Sequence, residues 1–276
     1  MHGVKLNSQE IEQYQQDGFI LQKELFDSEE MDLLLETSKT DQVLRQNSKD
    51  YIDASGKASK LALWNHPGDD LYGMFSRCER IVNSCELLIQ GGVYHFHSKV
   101  MMKEPFVGGA WEWHQDYGYW YGLGCLYPDL ISAYISIDTA SRENGCLQVI
   151  KGSHKMGRID HGQAGQQAGA DQARVEEALK KLPLIYCEME PGDTLFFHSN
   201  LLHRSDQNRS AKPRWSLICC YNAVFNSPFR EDSGHPHFTP LKKVADTAIK
   251  AVGRTNFSGQ THFWNSENET KGKVTA

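Results

Sequence analysis

The sequence predicts a mainly β protein with flanking helices, and three observations carry that expectation. Beyond Gly91-Gly92 the apolar residues fall into short runs of period two, over 93–103, 130–137, 146–150, 184–189, 193–198 and 215–222. Such a succession suggests a sandwich or barrel. Ahead of the glycine pair, Leu71, Met74, Phe75, Cys78, Ile81, Val82, Cys85, Leu88 and Ile89 recur at i, i+3, i+4 spacing, which predicts one helix over 71–89. Two helix starts precede it. Asn7 or Ser8 can cap a short helix through Ile11 and Tyr14 that stops before Asp17-Gly18, and Asp27 followed by Glu30 has the form of a capping box.

Within one domain, residues 1–90 therefore read as a mostly helical flank, 91–225 as the β core and 226–276 as a C-terminal extension. A chain of 276 residues fits a single barrel or sandwich with insertions. One insertion is expected over 155–183. Its Gly/Gln/Ala-rich loop leads into a helix from Asp171, with Glu176–Lys180 and Glu177–Lys181 at i,i+4 spacing and Pro183 closing it. Segments of that length often act as lids. After about residue 265 the tail is polar enough to fray.

Composition narrows the function. A hydrophobic fraction of 39% with 23% charged residues is that of a soluble globular protein, and no apolar run approaches bilayer length. The first residues have neither the charged n-region nor the apolar h-region of a signal peptide, so a cytoplasmic protein is expected. Seven cysteines without a CxxC, two of them adjacent at Cys219 and Cys220, suggest buried thiols in a reducing compartment. A formal charge of −6 offers no broad attraction to nucleic acid or anionic membrane. A small-molecule partner is expected instead, and an anionic one must be caught by a local cluster.

Three segments carry the chemistry. Alternation along 93–103 places Val93, His95, His97, Lys99 and Met101 on one face, which is either a solvated outer face or one turned into a pocket. His114-Gln-Asp116 sets an imidazole and a carboxylate where both can reach one metal ion. With 12 His and 35 acidic residues, roughly 1.5 such triplets arise by chance, so the motif needs its context. That context lies downstream. Pro191-Gly-Asp193 turns into an apolar strand, and His203 at its end can complete a triad of two imidazoles and one carboxylate. Such a set leaves three positions free on one face of Fe(II), enough for a chelating co-substrate and dioxygen. Arg214 opens the strand that follows, where its guanidinium can pair bidentately with a carboxylate. Taken singly, His203 is more often a loop histidine and Arg214 more often a surface ion-pair partner.

Together, His114-Gln-Asp116, the stretch 143–154 (ENGCLQVIKGSH), Pro191-Gly-Asp193 and His203 through Arg214 resemble the phytanoyl-CoA dioxygenase family, including its ectoine-hydroxylase branch. The resemblance covers residues 18–221. It implies a double-stranded β-helix (jelly-roll, cupin-like) core with iron at one mouth, and a dioxygenase using Fe(II), 2-oxoglutarate and O2. His114, Asp116 and His203 match the iron ligands. Arg214 matches the arginine on the distal carboxylate of 2-oxoglutarate, and Ser205 a hydroxyl assisting it. Trp120 matches a co-substrate wall, Trp111 an aromatic near it, and His97 and Lys99 polar residues facing the pocket, which favours the inward reading of that strand. Met101 departs from the branch, which has a polar co-substrate contact there, and Tyr134 is a candidate substitute. With a carboxylate ligand in place, the resemblance implies hydroxylation rather than halogenation.

For the substrate, Lys99, Arg158 and Arg142 with His95, His97, His154 and His161 suit a small anion. Trp111, Trp113, Tyr117, Tyr119 and Trp120, or Glu112 and Asp160, can receive an amine. The expectation is a zwitterion, an aminophosphonate such as 2-aminoethylphosphonate hydroxylated beside phosphorus, with an amino acid or ectoine-like metabolite as the alternative. A non-catalytic, cupin-like metal-binding sensor is the rival from another class. It would keep the triad and lack the Arg214–Ser205 anchor.

Overall fold

Local capping chemistry starts the chain. In the computed structural model, which describes residues 6–164, 167–231, 234–257 and 263, helix α1 (Ser8–Asp17) begins at Asn7. The Asn7 side chain accepts from the Glu10 amide at 3.0 Å, and Glu10 Oε2 accepts from the Asn7 amide at 2.7 Å. Gly18 stops it at φ +84°, in the left-handed region, and a Cβ there would also meet His154 at 2.4 Å. Strand β1 (Phe19–Gln22) follows, then α2 (Ser28–Thr40) behind the Asp27/Glu30 capping box, α3 (Gln42–Gln46), β2 (Lys49–Ile52) and β3 (Ala58–Trp64). The N-terminal third is thus not purely helical: its three short strands all join the main sheet.

The predicted helix over 71–89 is two, α4 (Leu71–Arg77) and α5 (Glu79–Ile89). Cys78 between them is extended (ψ 146°), and the C-terminal segment explains why. Val244 donates to the Arg77 carbonyl and accepts from the Glu79 amide, each at 3.0 Å, so the backbone groups freed by the break are satisfied from outside. The apolar period survives because α5 buries the stripe of Ile81, Val82, Cys85 and Leu88, while α4 is buried on all sides.

The core follows with β4 (Val93–Lys103), β5 (Trp111–His114), α6 (Asp116–Trp120), β6 (Leu130–Ser136) and β7 (Leu147–Ile150). The insertion forms β8 (His161–Ala164), β9 (Gln167–Ala170) and α7 (Gln172–Lys181), the last capped by Asp171 as expected. Its first half is a hairpin rather than a loop. Strands β10 (Leu184–Cys187), β11 (Thr194–His198), β12 (His203–Ser205) and β13 (Arg214–Ala223) complete the core, and α8 (Ala248–Val252) lies beyond it. The polar tail after residue 265 is outside the described residues.

Two antiparallel sheets result. One is ordered β1-β11-β6-β13-β4-β3-β2, the other β10-β7-β12-β5. Tyr94, Phe96, Tyr134, Val149, Leu195 and Ile218 belong to one apolar cluster lining the interior, while Val100, Met102, Ile135, Leu217 and Tyr221 join a second with α2, α4 and α5. This is the expected jelly-roll with flanking helices. Among the described residues no helix is long and apolar enough to cross a membrane.

One irregularity changes the reading of β4. Arg214, Ser216, Ile218 and Cys220 on β13 pair with Lys103, Met101, Lys99 and His97, but Tyr221 pairs with His95, so Phe96 is an extra residue at a β-bulge. From His97 onward the alternate residues face inward. His95 and Val93 are shifted to the helix-covered face, and His95 there bonds Ser98 Oγ at 2.7 Å and the Asn65 carbonyl at 3.2 Å.

Burial holds both His95 and His198 down to about 3, so each folds as a neutral imidazole. The unfolded chain protonates these rings near pH 6.5 and the folded one does not, so the unfolded state binds more protons in the window from about 6.5 to about 3. Stability of the metal-free protein should therefore fall as pH drops from 6.5 to 5, with each ring contributing up to about 1.4 kcal/mol per pH unit. Urea melts across that range, compared with His198→Gln, check this: the variant should show a shallower slope, and an unchanged slope refutes the assignment.

Candidate active site

Strand pairing assembles the triad. Register sets His203 on β12 directly opposite His114 on β5, with ring centroids 4.0 Å apart, and Asp116 opens α6 two residues later. Asp116 Oδ1 lies 3.7 Å from His114 Nε2 and 3.9 Å from His203 Nε2. All three side chains are buried. Each imidazole donates Nδ1–H to a main-chain carbonyl, Glu112 at 2.7 Å and Leu201 at 2.9 Å, which leaves both Nε2 lone pairs facing the carboxylate. Burial and the neighbouring His114 push His203 down to about 3. Burial alone would raise Asp116, but the Lys99 ammonium and the two histidines hold its carboxyl well below the usual range. An anionic oxygen and neutral nitrogens around one gap suit a divalent iron with an open face.

Further into the barrel lies a site suited to an anion. Arg214 is fully buried, donating Nη1–H to the Tyr134 hydroxyl at 2.5 Å, while Nε and Nη2 have no partner. Leaving buried guanidinium donors unpaired costs several kcal/mol unless an anion completes them, of order 1–3 per group. Ser205, two residues and about 7 Å along β12 from His203, is buried as well. Its Oγ accepts from Lys103 Nζ at 2.8 Å. These residues fit the distal carboxylate of 2-oxoglutarate, whose keto-acid end would reach the triad. Tyr134, the candidate substitute for the polar contact absent at Met101, meets Arg214 through its hydroxyl. Lys103 was overlooked at the sequence level, although it continues the inward alternation of His97, Lys99 and Met101. Burial and the adjacent Arg214 hold its ammonium well below the usual lysine range.

The remaining candidates divide. His97 is buried with both ring nitrogens unpartnered, its ring 5.5 Å from Trp120 and 5.3 Å from His235, which comes from the C-terminal segment. Lys99 faces the same space, half buried. Trp120 stands against His97 and Phe96. Trp111 lies at the rim, 6.3 Å from the His114 ring. Tyr119 lies near His114 with its hydroxyl bonded to the Ala168 carbonyl, and His161 accepts the Gln115 amide at 2.9 Å, so both tie the insertion to the metal ligands. Gly118 permits that approach, since a Cβ would meet the His161 ring at 2.1 Å.

Several expectations fail on geometry. His95 is on the other face of its strand. Arg158 is exposed, paired with Asp160 at 2.6 Å and stacked on Tyr121, so neither charge is directed at the pocket. Tyr117 is buried, with its hydroxyl donated to the Leu126 carbonyl at 2.6 Å. Arg142 pairs with Glu188 over Tyr186, Trp113 packs with the insertion's core, and His154 lies beneath α1 against the Gln15 carbonyl.

A jelly-roll whose mouth holds two histidines and an aspartate, with a buried arginine behind them, defines a non-haem iron oxygenase of the 2-oxoglutarate-dependent class. Residues 14–216 match the family model described as phytanoyl-CoA dioxygenase (PhyH). The L-proline trans-4-hydroxylase of Streptomyces griseoviridis is 30% identical over 224 residues, covering 74% of this chain and 81% of its own. An ectoine dioxygenase of Stutzerimonas stutzeri is 24% identical, covering 83% and 82%. The crystal structure of EctD from S. alaskensis with 2-oxoglutarate and 5-hydroxyectoine superposes with a TM-score of 0.67 at 20% identity, over 87% of this chain and 88% of that one. The chain belongs to the phytanoyl-CoA dioxygenase family. It is an Fe(II)- and 2-oxoglutarate-dependent dioxygenase that consumes O2.

Two substitutions separate the metal site from the anion site. His203→Ala should abolish Fe(II) binding, measured by equilibrium dialysis. Arg214→Ala should retain iron while weakening 2-oxoglutarate about 10- to 100-fold, the loss expected for a charge-assisted hydrogen bond. Equal loss of metal in both variants would contradict these roles.

Proposed function

We propose that the enzyme hydroxylates a small zwitterionic metabolite, an amino acid or an ectoine-like cyclic compound. The observation that carries this reading is the inner face of β4. His97 presents two buried, unpartnered ring nitrogens beside the Lys99 ammonium, and Trp120 and Phe96 wall the same space. One ammonium flanked by imidazole suits one carboxylate, and the aromatic faces suit the cationic or ring portion of the ligand. The relatives named for proline and ectoine support that class. The aminophosphonate expectation finds no such support, and with His95 and Arg158 committed elsewhere the pocket has fewer basic groups than a phosphonate dianion would favour. The buried thiols agree with a reducing, cytoplasmic setting.

In this reading the bound iron and co-substrate, with dioxygen as the oxidant, would supply oxidative decarboxylation to succinate and CO2, one oxygen atom passing to succinate and the other to the hydroxylated carbon. The protein's own residues orient and enclose. Arg214, Ser205 and Tyr134 fix one end of the co-substrate, Lys99 and His97 hold the substrate carboxylate, and Trp120 sets the depth at which a C–H bond faces the triad.

Anaerobic protein loaded with Fe(II) and 2-oxoglutarate should show a weak visible charge-transfer band. Amino acids and ectoine should shift that band, and aminophosphonates and acyl-CoAs should not. A shift by aminophosphonates alone would reverse the substrate class. With the substrate so found, Lys99→Ala should raise its KM about 10- to 100-fold and leave 2-oxoglutarate affinity within about twofold. An equal effect on both ligands would remove Lys99 from the substrate side.

A further inference from the structure

Asp116 has two carboxylate oxygens, and they are treated differently. Oδ1 faces the Nε2 atoms of His114 and His203. Oδ2 turns the other way and accepts the hydroxyl of Ser132 at 3.0 Å. Ser132 is a fully buried residue of β6, where the expected strand pattern gave it no role. Its Oγ also lies 3.3 Å from Cys220 Sγ, its paired neighbour on β13. Hydrogen counting makes the chain directional. A carboxylate only accepts, so the one hydroxyl proton of Ser132 goes to Oδ2, and Oγ is left to accept from the thiol. Burial pushes the Cys220 thiol up to about 12, so it carries the proton this requires.

Coordination arithmetic gives the arrangement a function. Iron with three protein ligand atoms keeps three positions, of which a chelating 2-oxoglutarate takes two. The last is needed by dioxygen. A carboxylate that swung to place both oxygens on the metal would occupy it, and short-armed Asp116 sits near enough to do so unless Oδ2 is held back. We infer that Ser132 is a positioning residue, which restricts Asp116 to ligation through Oδ1 and so preserves the coordination position that dioxygen requires. The hydroxyl acts through the ligand, since its partners are Asp116 Oδ2 and Cys220 Sγ. Outer partners of this kind tune metal sites as strongly as many direct contacts do.

Ser132→Val and Ser132→Thr are matched in size and differ in the hydroxyl. The test titrates nitric oxide, a dioxygen surrogate, into the anaerobic Fe(II)–2-oxoglutarate protein and reads the iron-nitrosyl electron paramagnetic resonance signal, with iron and 2-oxoglutarate affinities measured alongside. Ser132→Val should bind nitric oxide about tenfold more weakly at unchanged iron occupancy and 2-oxoglutarate affinity, and Ser132→Thr should restore binding. Equal nitric oxide affinity in the pair overturns the inference. So does weakened iron binding with normal nitric oxide affinity in the loaded fraction, which would make the hydroxyl a metal-affinity device. If the added bulk prevents folding, Ser132→Ala against the unaltered protein supplies the same comparison, and wild-type nitric oxide affinity in that variant likewise overturns it.

Discussion

Charge buried in an apolar barrel is the constraint on which the rest of this structure depends. An ionised group moved out of water costs several kcal/mol unless its charge and hydrogen bonds are met. The interior here holds an aspartate, an arginine and a lysine, all nearly inaccessible. Asp116 is met by the Ser132 hydroxyl and by the field of Lys99. Arg214 is met in part, through Tyr134, and Lys103 through Ser205 and two backbone carbonyls. The unmet remainder is positive at depth and negative at the mouth. Iron held by the triad would offset the negative end, and a dianion reaching from that iron to Arg214 would complete the positive one. The same argument explains Lys103: with Arg214 beside it and no anion present its ammonium is disfavoured, and a bound carboxylate would restore it.

Such a site has to be closed against competing water, and the chain does so from two directions. Gln115, between the two ligands of the His-x-Asp motif, donates to the Gly157 and Asn200 carbonyls and accepts from the Ile159 amide, while its own amide donates to His161. Gln167 bonds the Ala110 carbonyl and the Glu112 amide, each at 3.0 Å. The insertion is therefore hydrogen-bonded to the strand that carries the metal ligands, over a small core of Ile150, Ile159, Val175, Ala178 and Leu202. On the other side the C-terminal segment stacks His235 on Phe96 at 4.8 Å. Ligand geometry and enclosure share the same bonds.

What the sequence revealed and what it hid follow physical lines. The strands of the core were legible because each buries at least one face, which enforces period two over most of its length. Capping boxes at Asn7 and Asp27 were legible because they are local. The triad and Arg214 could be read because their residue types are rare in that order. The break at Cys78 could not, since its cause is Val244, more than 160 residues away. Strands β1 and β2 have only four residues each, and all of β1 to β3 carry polar residues beside the apolar ones. Arg158 and Asp160 were misread because composition counts charges without showing that two of them neutralise one another. Ser132 left no signal at all: a serine in an apolar strand acquires meaning only from what pairs with it.

The bulge in β4 shows how little sequence is needed to redirect a site. Strict alternation would have put His95 in the pocket with His97 and kept Phe96 behind them. One extra residue opposite Cys220 and Tyr221 turns His95 to the helices and lets two consecutive side chains, Phe96 and His97, both approach Trp120, at 5.6 and 5.5 Å. A bulge also adds local twist, while the pairing resumes beyond it from Tyr221 opposite His95 to Ala223 opposite Val93. The pocket wall thus gains an aromatic surface and loses an imidazole, which is part of the ground for proposing a ligand with one acid group and an apolar or ring body rather than a dianion. Register on a single strand therefore bears on substrate class here as directly as the identity of any residue along it.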